Sequence, residues 1–316
     1  MAIFAPMNNI VLIPFVCGAG ASMLGCEQGP VAMKRAGLAE SLTARGLPAD
    51  WAVDPEELYA QPDGAAAHAH VPALGDAERR ALVLRHCVAL RDCVEAVTAA
   101  GDIPVTLGGD HAMAAGSIAG FARAKNAHGR IGVLWIDAHA DLNTPATSPS
   151  LAFHGMPVAA LLGQGDHEFA ALGGGPRPVL QPEHLFYIGL RDLDDGEVAA
   201  MELMNIGHMS ARQAMDIGLP AALRAAVARI SEGTDYLFLS LDLDSFDPEV
   251  APAVGTPVAG GFRRGELLPA LRDLVTENVF AGFEIAEFNP TLAGVEETYD
   301  LLLQSLTFML AARQGA

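Results

Sequence analysis

The chain has 316 residues, 51% of them apolar, and a formal net charge of −19. That length can bury a large core. The acidic balance, with Lys34 and Lys125 the only lysines, argues against nucleic acid or an anionic membrane as partner, because both need clustered Lys and Arg.

No apolar run is long enough to cross a bilayer. No Lys or Arg precedes Lys34, so residues 9–20 do not read as a signal peptide and a cytoplasmic location is expected. Cys17, Cys26, Cys87 and Cys93 show no Cys-x-x-Cys spacing and read as reduced, mostly buried thiols. No linker or repeat divides the chain, which predicts one domain over residues 1–316.

In chain order, residues 9–15 predict a strand, followed by a Gly-rich turn without the Gly-x-Gly-x-x-Gly of a dinucleotide site. Gly29-Pro30 then opens a helix. A short strand at 51–53 leads into an irregular acidic segment, 54–75. Its His68 and His70 read as solvated side chains, although His-x-His spacing can hold a metal. A long helix over 77–99 offers Leu82, His86, Val94 and Val97 to the interior, and strand 102–107 runs into Gly108-Gly109-Asp110-His111 and another helix. His111 thus stands at a strand's carboxyl end, where α/β sheets place their sites.

Residues 131–136, Ile-Gly-Val-Leu-Trp-Ile, have the unbroken apolarity of a buried parallel strand. They end in Asp137-Ala138-His139-Ala140-Asp141. In a strand, i, i+2 and i+4 point the same way, which predicts that Asp137, His139 and Asp141 converge. A polar loop at 142–152 follows, then His154-Gly155-Met156-Pro157, a strand at 185–190 ending in Arg191-Asp192-Leu193-Asp194, and a short strand within 205–209. A helix over 210–232 precedes strand 236–241, which ends in Asp242-Leu243-Asp244-Ser245-Phe246-Asp247-Pro248. A helix from 263, a strand at 279–285 ending at Glu287, and an amphipathic helix at 296–312 complete the chain. About eight strands alternating with helices imply an α/β fold with a mostly parallel sheet covered on both faces.

Three strand ends thus supply His111, then Asp137, His139 and Asp141, then Asp242 and Asp244. One ion rarely needs so many carboxylates, whereas two ions about 3.5 to 4 Å apart do. The set contains no thiolate, and oxygen-rich octahedral coordination with imidazole suits Mn²⁺, with Co²⁺ or Ni²⁺ as alternatives. Two divalent ions on one water depress its pKa toward about 7, which points to hydrolysis.

These motifs resemble the ureohydrolase family, its arginase branch most closely, from the first turn to the last strand. The resemblance implies a three-layer α/β/α sandwich, usually a trimer or hexamer, that releases urea from a small guanidino substrate. It assigns one manganese to His111, Asp137, Asp141 and Asp242 and the other to His139, Asp137, Asp242 and Asp244, with Asp137 and Asp242 bridging. Asn143 and Ser150 match positions that hold a substrate α-carboxylate, and Asp194 matches the one facing the α-amino group. His154 corresponds to a proton shuttle, Glu287 to the guanidinium anchor and Thr256 to a pocket-wall donor, with Asp141 relaying a proton in the hydrolysis of L-arginine to L-ornithine and urea. Taken alone, His154 also reads as a helix cap and Glu287 as a turn residue. The sequence departs from the usual pattern at Ala112, where Ser is common, and at Cys26-Glu27 in the first turn.

Rival readings are an agmatine or guanidino-acid hydrolase, a two-metal phosphoesterase, for which Arg191 is the only basic group near the motifs, and a non-catalytic metal-binding homologue.

Overall fold

Eight strands pair in the order β2-β1-β3-β8-β7-β4-β5-β6 in the computed structural model, which describes residues 9–60 and 71–313. They are β1 Ile10–Phe15, β2 Ala49–Trp51, β3 Ile103–Gly108, β4 Ile131–Ile136, β5 Leu185–Leu190, β6 Gly207–Ser210, β7 Tyr236–Asp242 and β8 Phe280–Ala286. Every pairing is parallel. Side chains alternate across the sheet, so Val133 and Trp135 of β4 enter one core while Leu134 and Ile136 enter the other. Because helices cover both faces, strands buried on either side must be apolar throughout, which explains the unbroken runs in β4 and β5. No helix among the described residues is long and apolar enough to cross a membrane.

One core is closed by the helices Leu219–Ile230, Arg264–Glu277 and Val295–Met309. The other is closed mainly by Asp76–Ala99 and Met113–Lys125. Of the four expected inward positions on Asp76–Ala99, Leu82 and Val94 are buried, whereas His86 and Val97 are half-buried. Val83, Cys87, Leu90 and Thr98 complete the buried stripe with Leu82 and Val94. Gly116 and Gly120 set the distance between these two helices: a Cβ at Gly116 would lie 2.5 Å from the Cys87 carbonyl oxygen, and one at Gly120 2.3 Å from that of Arg91.

Three elements differ from the sequence expectation. The 54–75 segment is not wholly irregular, because Pro55–Tyr59 is helical, with the Asp54 side chain accepting from the Glu56 N–H as N-cap. The helix expected over 210–232 is two helices, Ala211–Ile217 and Leu219–Ile230, parted at Gly218 (φ 87°) with Pro220 entering the second. The strand expected at 51–53 lies at Ala49–Trp51. His68 and His70 lie outside the described residues.

Cys17, Cys26 and Cys87 are buried, Cys93 is half-buried, and all four are free thiols.

Candidate active site

β3, β7 and β4 carry the acidic motifs, and β8 lies between β3 and β7, so four neighbouring strands in mid-sheet present their carboxyl ends together. A strand's last residues lose their ladder partners there, and side chains take over the backbone hydrogen bonds. Asp137 Oδ1 accepts from the His139 N–H at 2.7 Å, and Asp242 Oδ1 from the Asp244 N–H at 2.7 Å. Asp244 Oδ1 accepts from the Ala138 N–H at 3.2 Å. The carboxylates therefore shape the loops that carry them.

Asp137, His139 and Asp141 do come together, but strand alternation is not the cause. β4 ends at Ile136, the chain turns, and Asp141 sits in the left-handed region at φ 50°. Likewise Asp242 ends β7 while Asp244 lies in the 3₁₀ turn Leu243–Ser245.

His111 Nδ1 faces carboxylate oxygens of Asp137, Asp141 and Asp242 at 3.1, 3.1 and 3.0 Å. His139 Nδ1 faces Asp244 at 3.0 Å and Asp137 at 3.5 Å. Two ligand groups result, His111 with Asp137 and Asp242, and Asp137 with His139 and Asp244, sharing Asp137. The chemistry of this donor set fits divalent cations. His111 Nδ1 is buried with no completed hydrogen bond although three carboxylates converge on it. Burial, reinforced by Asp244 and Asp137, pushes the Asp242 carboxyl well above its usual range, and burial with Asp137 raises Asp141 to about 6. Asp137 moves the other way: burial opposes its charge, but hydrogen bonds from His111 and His139 outweigh that and lower it. Carboxylates so crowded cannot all ionise unless positive charge lies among them.

Around this cluster opens a pocket lined by His111, His139, Asp141, Asp242, Asp244 and Glu287, and also by Asn143, Ser150, His154, Asp194 and Thr256. Every residue to which the resemblance assigns a role in the site, except the deeply buried Asp137, lines it. Asn143 Nδ2 donates to Asp194 Oδ2 at 2.8 Å, joining the two loops expected to meet the amino-acid end of a substrate. Ser150 is exposed, 3.4 Å from Ser148 through their hydroxyls. Thr256 lines the pocket wall, with its hydroxyl donating to Asp244 Oδ2 at 3.0 Å.

His154 and Glu287, 133 residues apart, are partners. His154 Nδ1 lies 3.1 Å from Glu287 Oε1, which also accepts from the His111 N–H at 2.9 Å. Glu287 is no ordinary turn residue, being buried at φ 69°. His154 lies in the 3₁₀ turn Phe153–Gly155 and does not cap the helix Pro157–Leu161, whose N-cap is Met156. Burial disfavours its charged form, yet the Glu287 carboxylate prevails and raises it to about 9.

Four participants escaped the sequence reading. Trp135 stacks on His111 with ring centroids 4.3 Å apart and donates its indole N–H to Asp137 Oδ2 at 2.9 Å. Glu197 lines the pocket, accepts from the Leu142 and Asp194 N–H groups at 3.0 Å each, and is raised by burial to about 7. Its signal was the spacing Asp194-x-x-Glu197, a capping box opening the helix Asp195–Met204. Asp110 accepts from the Gly20 N–H at 2.8 Å, and the Gly20 carbonyl in turn accepts from the His154 N–H at 3.1 Å. Ser148 is a further pocket hydroxyl.

Arg191 is turned away from phosphate chemistry. Its guanidinium donates to the carbonyls of Gly189, Asp244, Phe246 and Val258, and no Lys or Arg lines the pocket among the described residues.

Known proteins agree with this geometry. The model of the arginase family matches residues 8–311. An arginase of Bacillus caldovelox is 38% identical over 90% of this chain and 92% of its own length, and one of Brevibacillus brevis 35% over 90% and 92%. The crystal structure of an arginase from Bacillus cereus superposes with a TM-score of 0.83 at 31% identity, covering 96% of this chain and 98% of that one. Matched along nearly its whole length in both sequence and fold, the chain belongs to the arginase family.

Proposed function

We propose that the protein hydrolyses L-arginine to L-ornithine and urea at a centre holding two Mn²⁺ ions, with Co²⁺ or Ni²⁺ as alternatives. His111, Asp137, Asp141 and Asp242 would hold one ion and His139, Asp137, Asp242 and Asp244 the other. Such a pair, when bound, supplies charge that acidifies water and polarises the substrate.

The remaining roles belong to side chains. Glu287 Oε1 is engaged by His111 and His154, which leaves Oε2 to accept from the guanidinium. Asp141 takes the proton released as water adds to the guanidinium carbon and passes it to the departing amine, so that the carbon–oxygen bond forms and the carbon–nitrogen bond breaks. His154, its proton held by Glu287, returns protons between pocket and solvent. Asn143 and Ser150 hydrogen-bond the α-carboxylate, Asp194 accepts from the α-ammonium, and Thr256 steadies Asp244.

The observation that carries this reading is one acidic pocket uniting the two ligand groups with Asn143, Ser150 and Asp194. A site that hydrogen-bonds a carboxylate leaves its own groups unpaired when the substrate lacks one, and discrimination then reaches roughly 10⁴. Urea release from arginine and from agmatine after Mn²⁺ loading is the test. Arginine should be far the better substrate, and agmatine turned over equally well would overturn the choice of substrate.

The absence of a linker supports one domain over residues 1–316, and a cytoplasmic location is part of the same proposal. Family likeness supports a trimer or hexamer.

A further inference from the structure

Beneath the ligand groups lies a carboxylate with no role in the chemistry above. Glu284, in β8, is fully buried, and neither of its oxygens has a completed hydrogen bond. Register places it beside Thr106 of β3 and Ser240 of β7, all three on the sheet face that carries His111. Its Oε1 is 4.0 Å from His111 Nε2, and Ser240 Oγ lies between them in the hydrogen-bond sense, 2.9 Å from the same nitrogen. Thr106 and Ser117 share a hydrogen bond of 3.0 Å, and the Ser117 hydroxyl, like that of Ser240, faces Glu284.

A buried carboxylate without partners is unfavourable, and an amide or apolar side chain would fill the space more comfortably. The hydrogen-bond inventory gives it a purpose. His111 turns Nδ1 toward three carboxylates, the direction of a ligand, so its ring proton resides on Nε2. That N–H donates to Ser240 Oγ. The Ser240 hydroxyl then needs an acceptor for its own proton, and Glu284 is the carboxylate facing it, with the Ser117 hydroxyl beside the carboxylate as well.

We propose that Glu284 is a positioning residue for the metal centre: through Ser240 it holds His111 in the tautomer that leaves Nδ1 free for a cation. The proposal rests on the metal-holding reading of the site. Groups behind a ligating histidine fix its tautomer and orientation, and their loss typically weakens metal binding by about tenfold to a hundredfold.

The experiment is a calorimetric titration of metal-free protein with Mn²⁺ for the wild type, Glu284→Gln, Ser240→Ala and the double variant, with the thermal midpoint of each metal-free protein recorded beside it. Wild type taking up no Mn²⁺ would remove the metal reading itself. With two ions bound by the wild type, Glu284→Gln should weaken one of them by about tenfold to a hundredfold and leave the other, while its metal-free midpoint stays equal or rises. A residue that merely supports the fold would lower that midpoint. The double variant should be no weaker than the worse single variant, since both break one chain of bonds. Wild-type affinity in Glu284→Gln, or effects that multiply in the double variant, overturns the proposal. Should Glu284→Gln not fold, Ser240→Ala decides alone, and wild-type affinity there overturns it.

Discussion

Two regions on the same side of the sheet are built on opposing rules. Where the helices Asp76–Ala99 and Met113–Lys125 meet, the contact is apolar and so close that Gly116 and Gly120 touch carbonyls of the facing helix. A few residues away, on the rim above β3, β4 and β7, four aspartates crowd two imidazoles, and two residues, Asp141 and Glu287, adopt backbone angles unusual outside glycine. The first region is satisfied as it stands. The second is satisfied only with cations and substrate, and it is held in place by the first: Cys87 of one helix donates its thiol hydrogen to the carbonyl of Ala112, next to His111. Strain at a reactive site persists because rigid surroundings over-determine it.

The comparison breaks most sharply at Asp137, which is shared by both ligand groups. Asp137→Asn should abolish arginine hydrolysis and the paired ion site while the helix contact stays intact, because an amide neutralises neither cation. Metal analysis of the purified variant is the check, and two ions retained at wild-type affinity would refute the bridging role.

His154→Ala should lower kcat by roughly 10²-fold to 10⁴-fold, the usual span for loss of a proton-transfer group, with much less effect on arginine binding. Direct binding measurements separate the two. An equal loss in both would make His154 a binding residue.

On the other side of the comparison, Gly120→Leu should destabilise the protein by about 3 kcal/mol or more, because backbone on both helices blocks any adjustment. Chemical denaturation measures this, and kcat per folded, metal-loaded molecule should change little. A variant as stable as wild type would show that the helices can part.

The smallest effect expected concerns pH. His154 is raised from 6.5 to about 9 by Glu287, so in metal-free protein the native state holds a proton that the unfolded chain gives up first. The resulting stability is fully present below about pH 6.5 and is lost as pH rises through about 9, an effect of up to about 3 kcal/mol at 1.36 kcal/mol per unit. Comparing denaturation of metal-free wild type and His154→Ala at pH 6 and pH 10 tests it. The stability gap should shrink at the higher pH, and a constant gap would contradict the pairing.

What the sequence disclosed follows the same division. β4 and β5 could be read to the residue, because strands buried on both faces must be apolar throughout. The convergence of His111 with the Asp137–Asp141 and Asp242–Asp244 runs could be read because each is a short run of metal-capable side chains at a strand end. Other relations between distant segments could not. His154 with Glu287, Trp135 over His111, and Ser240 beside Glu284 are products of strand order, which no local pattern carries. Glu197 was hidden differently: the spacing Asp194-x-x-Glu197 signals only a helix cap, and the residue does cap while also lining the pocket. The helix Pro55–Tyr59 is only five residues long, too short for an apolar period to mark it, and its one local signal is the Asp54-Pro55 start.

The place of β8 has a consequence for biosynthesis. It joins β2-β1-β3 to β7-β4-β5-β6, and it comes from residues 280–286. A growing chain that has already released His111, the run Asp137–Asp141, Asp242 and Asp244 still has a gap at mid-sheet, with the β3 and β7 edges unpaired and apolar. Pairing β3 with β8 closes a loop of more than 170 residues, a slow event of the kind that leaves partly folded chains open to aggregation. Bringing His111 beside Asp137, Asp141 and Asp242 therefore awaits translation of nearly the whole chain. An arrest before residue 280 yields a polypeptide in which β4 and β7 can still pair, but His111 on β3 has no strand to carry it to their carboxylates, and two strand edges stay exposed for a chaperone to shield.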